Sequence, residues 1–423
     1  MKEFDKIIGY QSIKAELMRV CDIMLNYDKY KRLGVTTPRG ILLHGDPGVG
    51  KTLMAKCFIE ASKRPVFICR KDKADGDFLK SITDIFDKAS QNAPSIVFLD
   101  DMDKFANEDE RRRDTEEYVT VQSCIDSVVG KEVFVLATAN DIHKLPNSLT
   151  RVGRFDKVIE VKGPVGEDAV KIVEYYLSQK SFVEDIDARQ IARLLDGRSC
   201  AELETVINEA GVYAGSAAKS KIDMDDIVRA CMRVIFRAPE TFESHSQEVL
   251  ERIAYHEAGH AIVAELLESD TVNLVSVCKY AGDVGGVTSY YQNEDYFSNK
   301  KYMENRVMSL LGGRAATEIK YGETDVGAKS DVRRAYDIVN RFVSDYISSG
   351  FVYCNHQHVS NDFVSREELQ ISSDLERYYQ QARKLLIDNR EFLDKLAVAL
   401  VERKTLTNKD VQQIKRSCNI VAA

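Results

Sequence analysis

Short apolar runs alternate with helical patterns through residues 1–165 of the chain. Five runs have the length and the branched or aromatic content of strands: GILLHG, PVFIC, SIVFLDD, VFVLATA and KVIEV. Between these runs, apolar residues recur at three- and four-residue spacing, which is typical of helices that bury one face. Strands that alternate with helices form parallel sheets, so the pattern predicts an α/β domain over residues 1–165.

The pattern becomes helical from about Gly166 to Phe236. Segments such as EDAVKIVEYYLSQK and CAELETVINEAGVYAGSAA predict a small helical domain over residues 166–237. The polar, proline-containing segment that follows predicts a linker over residues 238–247. Residues 248–423 are again mainly helical in pattern. LVSVCKY and GGVTSYY are short predicted strands there, and either one can bind an extended substrate as an added strand.

Composition and charge narrow the class of protein. With 423 residues and 44% hydrophobic content, the chain can bury more than one core. The net charge of −8 argues against nucleic acid as a partner, because neutralising phosphates needs a basic surface. Nine cysteines without a CxxC pair favour reduced thiols in the cytoplasm over a disulfide framework. The sequence has neither an apolar run of about 18 residues nor a signal-peptide pattern, so we expect no membrane span and no export.

A glycine-rich motif, GDPGVGKT, follows the predicted strand ILLH and precedes the helical run LMAKCFIEAS. This is the context of a P-loop, in which backbone N–H groups and a helix N-terminus surround phosphate oxygens. We expect Lys51 to hold the β- and γ-phosphates and Thr52 to bind Mg²⁺. A glycine-rich turn without a ligand is the alternative. The predicted nucleotide-binding residues are Gly45, Asp46, Pro47, Gly48, Val49, Gly50, Lys51 and Thr52.

Polar residues end two of the predicted strands. Asp100 follows IVFL, and a carboxylate at the tip of a buried strand beside a P-loop is the usual second contact of Mg²⁺. Asp101 comes next, where an acid can orient the attacking water or simply be a solvated loop residue. Asn140 ends VFVLATA and can bond the γ-phosphate, although asparagine at a strand end is often only a turn residue.

Two arginines, Arg151 and Arg154, lie in the basic turn TRVGRFD beyond the nucleotide strands. Guanidinium groups from a neighbouring subunit can neutralise transition-state charge as arginine fingers, which requires a ring of subunits. The alternative is a pair of surface arginines bonded to nearby acids such as Asp156.

The second chemical motif is HEAGH, residues His256 to His260, inside a helical run from Glu248 to Leu267. Histidines four residues apart share one face of a helix and can chelate one Zn²⁺. Glu257 would then lie beside the attacking water as general base, as in zincin-type hydrolases. Two solvent-facing helix histidines are the alternative.

A catalytic zinc site needs a third protein ligand from elsewhere in the chain. Asp331 opens a strong helical pattern, where it can also be a helix N-cap. The residues alone do not choose between these roles, nor among the candidates Asp331, His356, His358, Glu318 and Glu323.

The motifs together, in this order and spacing, resemble the FtsH-type AAA+ zinc proteases. The resemblance covers nearly the whole chain, from FDKIIGYQSIKAEL through GDPGVGKT, IVFLDD and RVGRFD to HEAGHA, LGGRAATE and ERKTLTNKDV. It implies a large AAA+ subdomain at 1–165, a helical lid at 166–237 and a mostly helical peptidase domain at 248–423. It also implies a homo-hexameric ring that uses ATP, Mg²⁺ and Zn²⁺ to degrade unfolded or misassembled polypeptides.

Matched position by position, the resemblance implies a role for each candidate. Lys51 and Thr52 match the Walker A pair, Asp100 the Walker B aspartate, Asn140 the sensor, and Arg151 and Arg154 the finger arginines. In the peptidase, His256 and His260 match the zinc histidines, Glu257 the base and Asp331 the third ligand. Gly9 and Ala201 fall near the adenine and ribose contacts of the family.

Three positions depart from the family. Asp101 stands where the family has glutamate, so its carboxylate reaches about one bond less far. The pore-loop region reads CRKDKADGDFLKS, and Phe78 is its aromatic residue, which can grip a substrate or belong to the core of its helix. Thr317 replaces an acid near the zinc. Asp101 and the pore loop favour a competing hypothesis, a nucleotide-gated remodelling protein or a peptidase that is uncoupled from ATP hydrolysis.

The family carries transmembrane segments before its motor, whereas this sequence starts at the motor. We therefore expect a cytoplasmic protein that meets a membrane only through a longer form or a partner.

Overall fold

The computed structural model describes residues 2–71, 78–106, 116–151, 153–183, 186–238, 246–278, 285–291, 299–323, 326–344 and 361–422. The chain divides into two compact units, Met1–Ile227 and Val228–Ala423. This division falls inside a helix, Met224–Val234, ahead of the predicted linker at 238–247. Most of that linker, residues 239–245, lies outside the described residues. The finer domain boundaries stay predictions.

A parallel sheet of five strands forms the centre of the first unit. The strands are β1 (Gly40–His44), β2 (Val66–Cys69), β3 (Ser95–Leu99), β4 (Val133–Ala139) and β5 (Lys157–Glu160), in the order β2-β3-β4-β1-β5. Every neighbouring pair is parallel. Residues of β3 and β4 are buried without alternation, as expected for strands covered on both faces. The α/β expectation is confirmed.

Helices cover both faces of this sheet, α1 (Gln11–Leu25) and α3 (Lys51–Ser62) on one face and α4 (Phe78–Gln91) and α5 (Glu116–Ser127) on the other. The further helices are α2 (Tyr27–Lys31), α6 (Gly166–Leu177), α7 (Ala188–Leu194), α8 (Cys200–Ser216) and α9 (Met224–Val234), and α9 extends past the end of the unit. Short 3-10 turns occur at Lys2–Lys6, Met102–Lys104 and Ile142–Lys144. Separate apolar clusters lie on the two faces: Leu42 belongs to one, and its neighbours Ile41 and Leu43 belong to the other.

The second unit is mostly helical, as the sequence predicts. Its helices are α10 (Gln247–Leu267), α11 (Lys300–Tyr321), α12 (Lys329–Ser344), α13 (Asn361–Asp388), α14 (Arg390–Arg403) and α15 (Asn408–Arg416), with a 3-10 turn at Val326–Ala328. A small antiparallel sheet has the order β7-β6-β8, with β6 at Val272–Ser276, β7 at Val287–Tyr290 and β8 at Thr405–Thr407. Among the described residues, no helix has the length and the apolar character needed to cross a membrane.

Helices α10 and α11 approach each other through glycine. A Cβ atom at Gly259 would overlap the carbonyl group of Gly312, and one at Gly312 would lie 2.5 Å from the carbonyl oxygen of Gly259. Real Cβ atoms do not come so close to backbone, so neither position accepts a side chain without moving a helix. Helix α10 carries the HEAGH motif, and this contact therefore fixes which part of α11 faces it.

A buried carboxylate ties the end of α10 to the small sheet. Glu265 is fully buried and accepts hydrogen bonds from the backbone N–H groups of Asp270 at 2.6 Å and Thr271 at 3.2 Å. It also accepts from Gln412 at 2.7 Å and forms an ion pair with Lys415 at 3.2 Å. One side chain thus holds the turn into β6 and helix α15 against α10.

Replacing Glu265 by Ala should therefore destabilise the second unit by about 3 kcal/mol, because it leaves buried donors and a lysine without their acceptor. Urea unfolding of the intact chain, together with amide hydrogen exchange in β6, measures this loss. Glu248→Ala is the matched control, since Glu248 is an exposed carboxylate on the same helix. Equal stability of the two variants would contradict the anchoring role.

Candidate nucleotide and metal sites

The glycine-rich motif lies where β1 ends and α3 begins. Strand β1 ends at His44, and α3 starts at Lys51, so the N–H groups of its first turn face the loop. Gly48, in the loop, has a φ of 82°, which favours glycine. Its carbonyl oxygen accepts a 3.1 Å hydrogen bond from the N–H of Ala201. The predicted strand, loop and helix are present, and the start of α8 lies beside the loop.

Lys51 is nearly buried, and its ammonium group has three acceptors. It donates to the carbonyl oxygens of Gly45 at 2.7 Å and Asp46 at 2.8 Å, and to Oδ1 of Asn140 at 2.9 Å. Burial lowers the pKa of Lys51, and the nearby carboxylates, first of all Asp101, oppose that shift. Asn140 is therefore more than a turn residue, because its amide meets the lysine of the loop.

Asp100 follows β3 and lies opposite Thr52. Its Oδ1 accepts hydrogen bonds from the hydroxyl groups of Thr138 at 2.7 Å and Thr52 at 3.4 Å. Arg70 is 3.8 Å from its Oδ2. A carboxylate and a hydroxyl beside a phosphate-binding loop are the protein ligands that Mg²⁺ has in P-loop enzymes. The pair fits the predicted metal-nucleotide site.

Asp101 has left-handed backbone geometry, with a φ of 54°. Its N–H donates to Thr138 Oγ1 at 2.9 Å, and its carboxylate accepts from Lys104 Nζ at 2.7 Å. The next acid, Asp103, accepts from the backbone N–H of Asn140 at 2.8 Å. Asp101 therefore lies at the site, but its carboxylate is paired with a lysine.

The adenine and ribose candidates, Gly9 and Ala201, lie on two segments that contact each other beside the loop. The N–H of Tyr10, next to Gly9, donates to Asp168 at 2.9 Å, and its hydroxyl lies 3.5 Å from Cys200 Sγ. That thiol is 3.7 Å from the carbonyl oxygen of Val49. The start of α8 therefore contacts the glycine-rich loop, and the N-terminal segment contacts the start of α8.

The two candidate finger arginines differ in their surroundings. Arg154 is bonded within its own chain, bidentately to Asp126 at 3.2 and 2.8 Å and to the carbonyl oxygen of Ser148 at 2.7 Å. Arg151 is exposed. Asp156, the acid named as an alternative partner, instead accepts from the N–H groups of Arg39 and Gly153. A neighbour-directed role fits Arg151 better, and Arg154 would have to release Asp126.

In the second unit, His256, His260 and Asp331 converge. The Nε2 atoms of the two histidines are 3.0 Å apart, and each is 3.3 Å from Oδ2 of Asp331. Bonds of about 2.0 Å from a tetrahedral Zn²⁺ separate ligand atoms by roughly 3.3 Å. These three atoms therefore fit three corners of a zinc tetrahedron, and among the described residues this is the one such cluster of potential metal ligands.

Neighbouring groups orient these ligands. The Nδ1–H of His260 donates to the carbonyl oxygen of Ser309 at 2.7 Å, which leaves Nε2 free to bind a metal. Arg334 bonds Oδ1 of Asp331. Burial alone would raise the pKa of Asp331, but its contacts with His256, His260 and Arg334 hold the pKa below its ordinary value. A lowered pKa favours the carboxylate form, which is the form that binds zinc.

Gly313 leaves room beside the cluster. A Cβ atom at this position would lie 2.5 Å from Nε2 of His260 and 2.7 Å from Cε1 of His256. Any side chain would push against the ligand atoms themselves. Only glycine at this turn of α11 lets the histidines keep their position.

Glu257, between the two histidines, contacts the first residues of β7. Its Oε2 accepts a 2.7 Å hydrogen bond from the hydroxyl of Thr288. A Cβ atom at Gly286 would lie 2.6 Å from Glu257 Cγ. The carboxylate is thus held between a hydroxyl and a glycine on the wall beside the metal ligands.

Other candidates lie away from this centre. Glu318 pairs with Arg314, and Glu323 with Arg252. His356 and His358 lie outside the described residues. Thr317 is fully buried, and its hydroxyl donates to the carbonyl oxygen of Arg314 at 3.0 Å. Its hydrogen bond is therefore made within α11 and not to a metal ligand.

Phe78 belongs to the core. It is 7% exposed and meets the Phe105 ring edge to face. This contact favours the core alternative over a substrate grip. Residues 72–77 of the same region lie outside the described residues.

The sequence reasoning missed several functional neighbours. Thr138, Ser309, Gly313, Arg334 and Thr288 were not singled out, although each one contacts a predicted site residue. For Gly313 the available signal was the glycine pair of LGGRAATE, because glycine inside an apolar helix often has a packing reason.

Comparison with known proteins matches the first half of the chain to an ATPase family and the second half to a peptidase family. Residues 41–162 match the ATPase family associated with various cellular activities (AAA), and residues 243–414 match peptidase family M41. The chain is 30% identical over 433 residues to ATP-dependent zinc metalloprotease FtsH 2 of Phytoplasma mali, which covers 97% of this chain and 62% of the relative.

Two further relatives show similar coverage. Identity is 31% over 443 residues with ATP-dependent zinc metalloprotease FtsH of Caldicellulosiruptor bescii, and 30% over 448 residues with FtsH 3 of Synechocystis sp.. Each alignment covers 97% of this chain, and they cover 71% and 72% of those relatives. The chain thus spans less than two thirds of the length of the Phytoplasma relative and more than two thirds of the length of the other two.

The Asp331→Ala variant should bind zinc more weakly by about 10- to 100-fold or more, since one of three protein ligands is lost. Zinc content after dialysis against a competing chelator measures the change. Asp337→Ala, an exposed aspartate on the same helix, is the control and should keep the metal. Full zinc retention by Asp331→Ala would mean that the third ligand lies elsewhere, with His356 and His358 as the next candidates.

Proposed function

The chain belongs to the FtsH family of ATP-dependent zinc metalloproteases, and on that premise we propose that it is an ATP-dependent zinc endopeptidase that unfolds and degrades polypeptides. The observation that carries the proposal is the convergence of His256, His260 and Asp331 at mutual distances of 3.0 to 3.3 Å, with Glu257 on the same helix as the histidines. An uncommitted pair of helix histidines would not need a buried, ionised aspartate between them.

His256, His260 and Asp331 would hold the zinc ion, with His260 oriented by the Ser309 carbonyl and Asp331 by Arg334. Zinc supplies a Lewis acid that acidifies water and polarises a peptide carbonyl. Glu257 accepts the proton of the attacking water and donates it to the nitrogen of the departing amine. The water oxygen bonds the carbonyl carbon, the peptide C–N bond breaks, and the products are a carboxylate and a protonated amine, which together carry both protons of the water.

An extended substrate can add to β7. In the described part of the second unit, β6 lies between β7 and β8, so β6 already has two neighbours. Of the two predicted substrate strands, only β7 keeps an edge for main-chain hydrogen bonds. The same strand touches Glu257 through Thr288, which would bring a bound peptide to the general base.

In the motor, Lys51 would exchange its bonds to the loop carbonyls for bonds to the β- and γ-phosphates, while Thr52 and Asp100 hold Mg²⁺. Asn140 would contact the γ-phosphate, and Asp101 would orient the attacking water. Gly9 and Ala201 would border the base and ribose. These assignments are supported by the convergence of all these segments on the glycine-rich loop.

We further propose a large AAA+ subdomain at 1–165, a lid at 166–237, a linker at 238–247 and a peptidase domain at 248–423. Arginine fingers at Arg151 and Arg154 require neighbouring subunits, and the family resemblance implies that the assembly is a homo-hexameric ring. Its substrates would be unfolded or misassembled proteins and not nucleic acids.

The eight described cysteines are all free thiols, which supports a cytoplasmic location. Contact with a membrane would come through a longer form of the protein or through a partner.

A casein assay tests the coupled activity. Wild-type protein should degrade casein with ATP and Zn²⁺, and a non-hydrolysable analogue or a zinc chelator should stop degradation. Glu257→Gln should reduce proteolysis at least about 100-fold and leave ATP hydrolysis intact, since it removes the proton acceptor alone. Lys51→Ala should remove nucleotide-dependent degradation. Degradation of casein that depends on neither nucleotide nor zinc would contradict the proposal.

A second candidate function is a nucleotide-gated remodelling protein, or a peptidase uncoupled from ATP hydrolysis. The specific observation in its favour is Asp101, whose short carboxylate is paired with Lys104 at 2.7 Å. Such a pair holds the acid away from a water that it would have to orient. The same observation gives a direct test.

If Asp101 serves hydrolysis, Asp101→Asn should lower both ATP turnover and casein degradation by about 100-fold, because the acid that orients water is gone. Lys104→Ala is the companion variant and should raise ATP turnover by freeing the carboxylate. ATP turnover and casein degradation are measured in the same preparation. Unchanged casein degradation in Asp101→Asn would favour the uncoupled peptidase.

A further inference from the structure

One contact of Glu257 is not explained by zinc binding. The hydroxyl of Thr288 donates to Glu257 Oε2 at 2.7 Å and lies 3.3 Å from the backbone carbonyl oxygen of the same residue. Thr288 lies on β7, whereas Glu257 lies on α10, so the bond joins two elements of the second unit. Neither residue is fully exposed, and water therefore competes weakly for the bond.

Gly286 restrains the other side of the same carboxylate. A Cβ atom at Gly286 would overlap Glu257 Oε1 and lie 2.7 Å from Cδ. The backbone just before β7 therefore lies directly against Oε1, and Thr288 bonds Oε2. Residues 286 and 288 point to the same face of an extended chain, since side chains alternate along a strand. The start of β7 is thus a two-sided support for one carboxylate.

A glutamate side chain has three rotatable bonds, so its carboxylate can take several positions unless a neighbouring group selects one of them. A general base has to lie within hydrogen-bond reach of the proton that it accepts. The Thr288 hydroxyl donates a single hydrogen bond to Oε2, and each carboxylate oxygen has two lone-pair sites, so the carboxylate keeps acceptor capacity for a proton. The hydrogen bond from Thr288 therefore selects one rotamer of Glu257 and still lets the carboxylate accept a proton.

We propose that Thr288 is a positioning residue that holds Glu257 in its proton-accepting rotamer through the Oγ1–Oε2 hydrogen bond. The proposal rests on the proposed function, in which Glu257 is the general base. Thr288 lies on β7, the edge strand that would bind substrate. The strand that binds the peptide would therefore also position the carboxylate of Glu257. Thr288 does not touch the reacting atoms, and it acts through Glu257.

Thr288→Val tests the hydrogen bond with little change in shape or strand propensity, because valine keeps the branched side chain and loses the donor. Cleavage of a short fluorogenic peptide by the intact zinc-loaded protein gives kcat and KM. We expect kcat to fall about 10- to 100-fold, since small misplacements of a catalytic group cost rates of that order, while KM stays within about twofold. Zinc stoichiometry should remain that of the wild type.

Two companion variants separate positioning from structure. Thr288→Ser keeps the hydroxyl and should restore most of kcat. Ser365→Ala removes an exposed hydroxyl from α13, outside the strand that would bind substrate, and should leave kcat unchanged. A purely structural role of the strand would not follow the presence of one hydroxyl.

Three results would overturn the proposal: an unchanged kcat in Thr288→Val, a loss that Thr288→Ser does not restore, or a change confined to KM. Glu257→Gln is run alongside. If that variant keeps full peptidase activity, the proposed function itself fails, whereas an inactive Glu257→Gln with a fully active Thr288→Val rejects only the positioning role.

Discussion

The backbone contact between Gly259 and Gly312 is the constraint on which the peptidase half depends. Helix α10 carries both histidines and Glu257, and α11 lies against it closely enough for the Ser309 carbonyl to accept from His260 at 2.7 Å. The residue after Gly312, Gly313, lies against both imidazole rings, where a Cβ atom would come within 2.5 Å of His260 Nε2 and 2.7 Å of His256 Cε1. A side chain at either crossing glycine would separate the helices, and His260 would lose its orienting acceptor, the Ser309 carbonyl, before any metal ligand changed.

Much of the fold followed from local pattern, since the five apolar runs became the five parallel strands and the HEAGH segment became one long helix. The nucleotide site was predictable for a related reason. Asn140 lies 89 residues from Lys51, but β1 and β4 are neighbouring parallel strands whose carboxyl ends meet at one edge. Residues that end adjacent strands therefore come together wherever the intervening chain goes.

The zinc site was only half predictable. His256 and His260 share a helix, so their spacing fixes their relation, but Asp331 comes from another helix 75 residues away, and the resemblance, not periodicity, selected it. Thr288, Arg334 and Ser309 escaped notice because hydrogen bonds between separate elements leave no period in a sequence. The pairing of Asp101 with Lys104 shows the same limit in the motor, where the motif gives the residue but not its partner.

The central claim is that two histidines of α10 and one aspartate of α12 surround a single zinc ion. A crystal structure of the zinc-loaded protein, with anomalous data collected on both sides of the zinc absorption edge, tests it most directly. The account predicts one anomalous peak about 2.0–2.2 Å from His256 Nε2, His260 Nε2 and an Asp331 carboxylate oxygen. A zinc peak bound by other residues, or one that leaves Asp331 bonded only to Arg334, would contradict it.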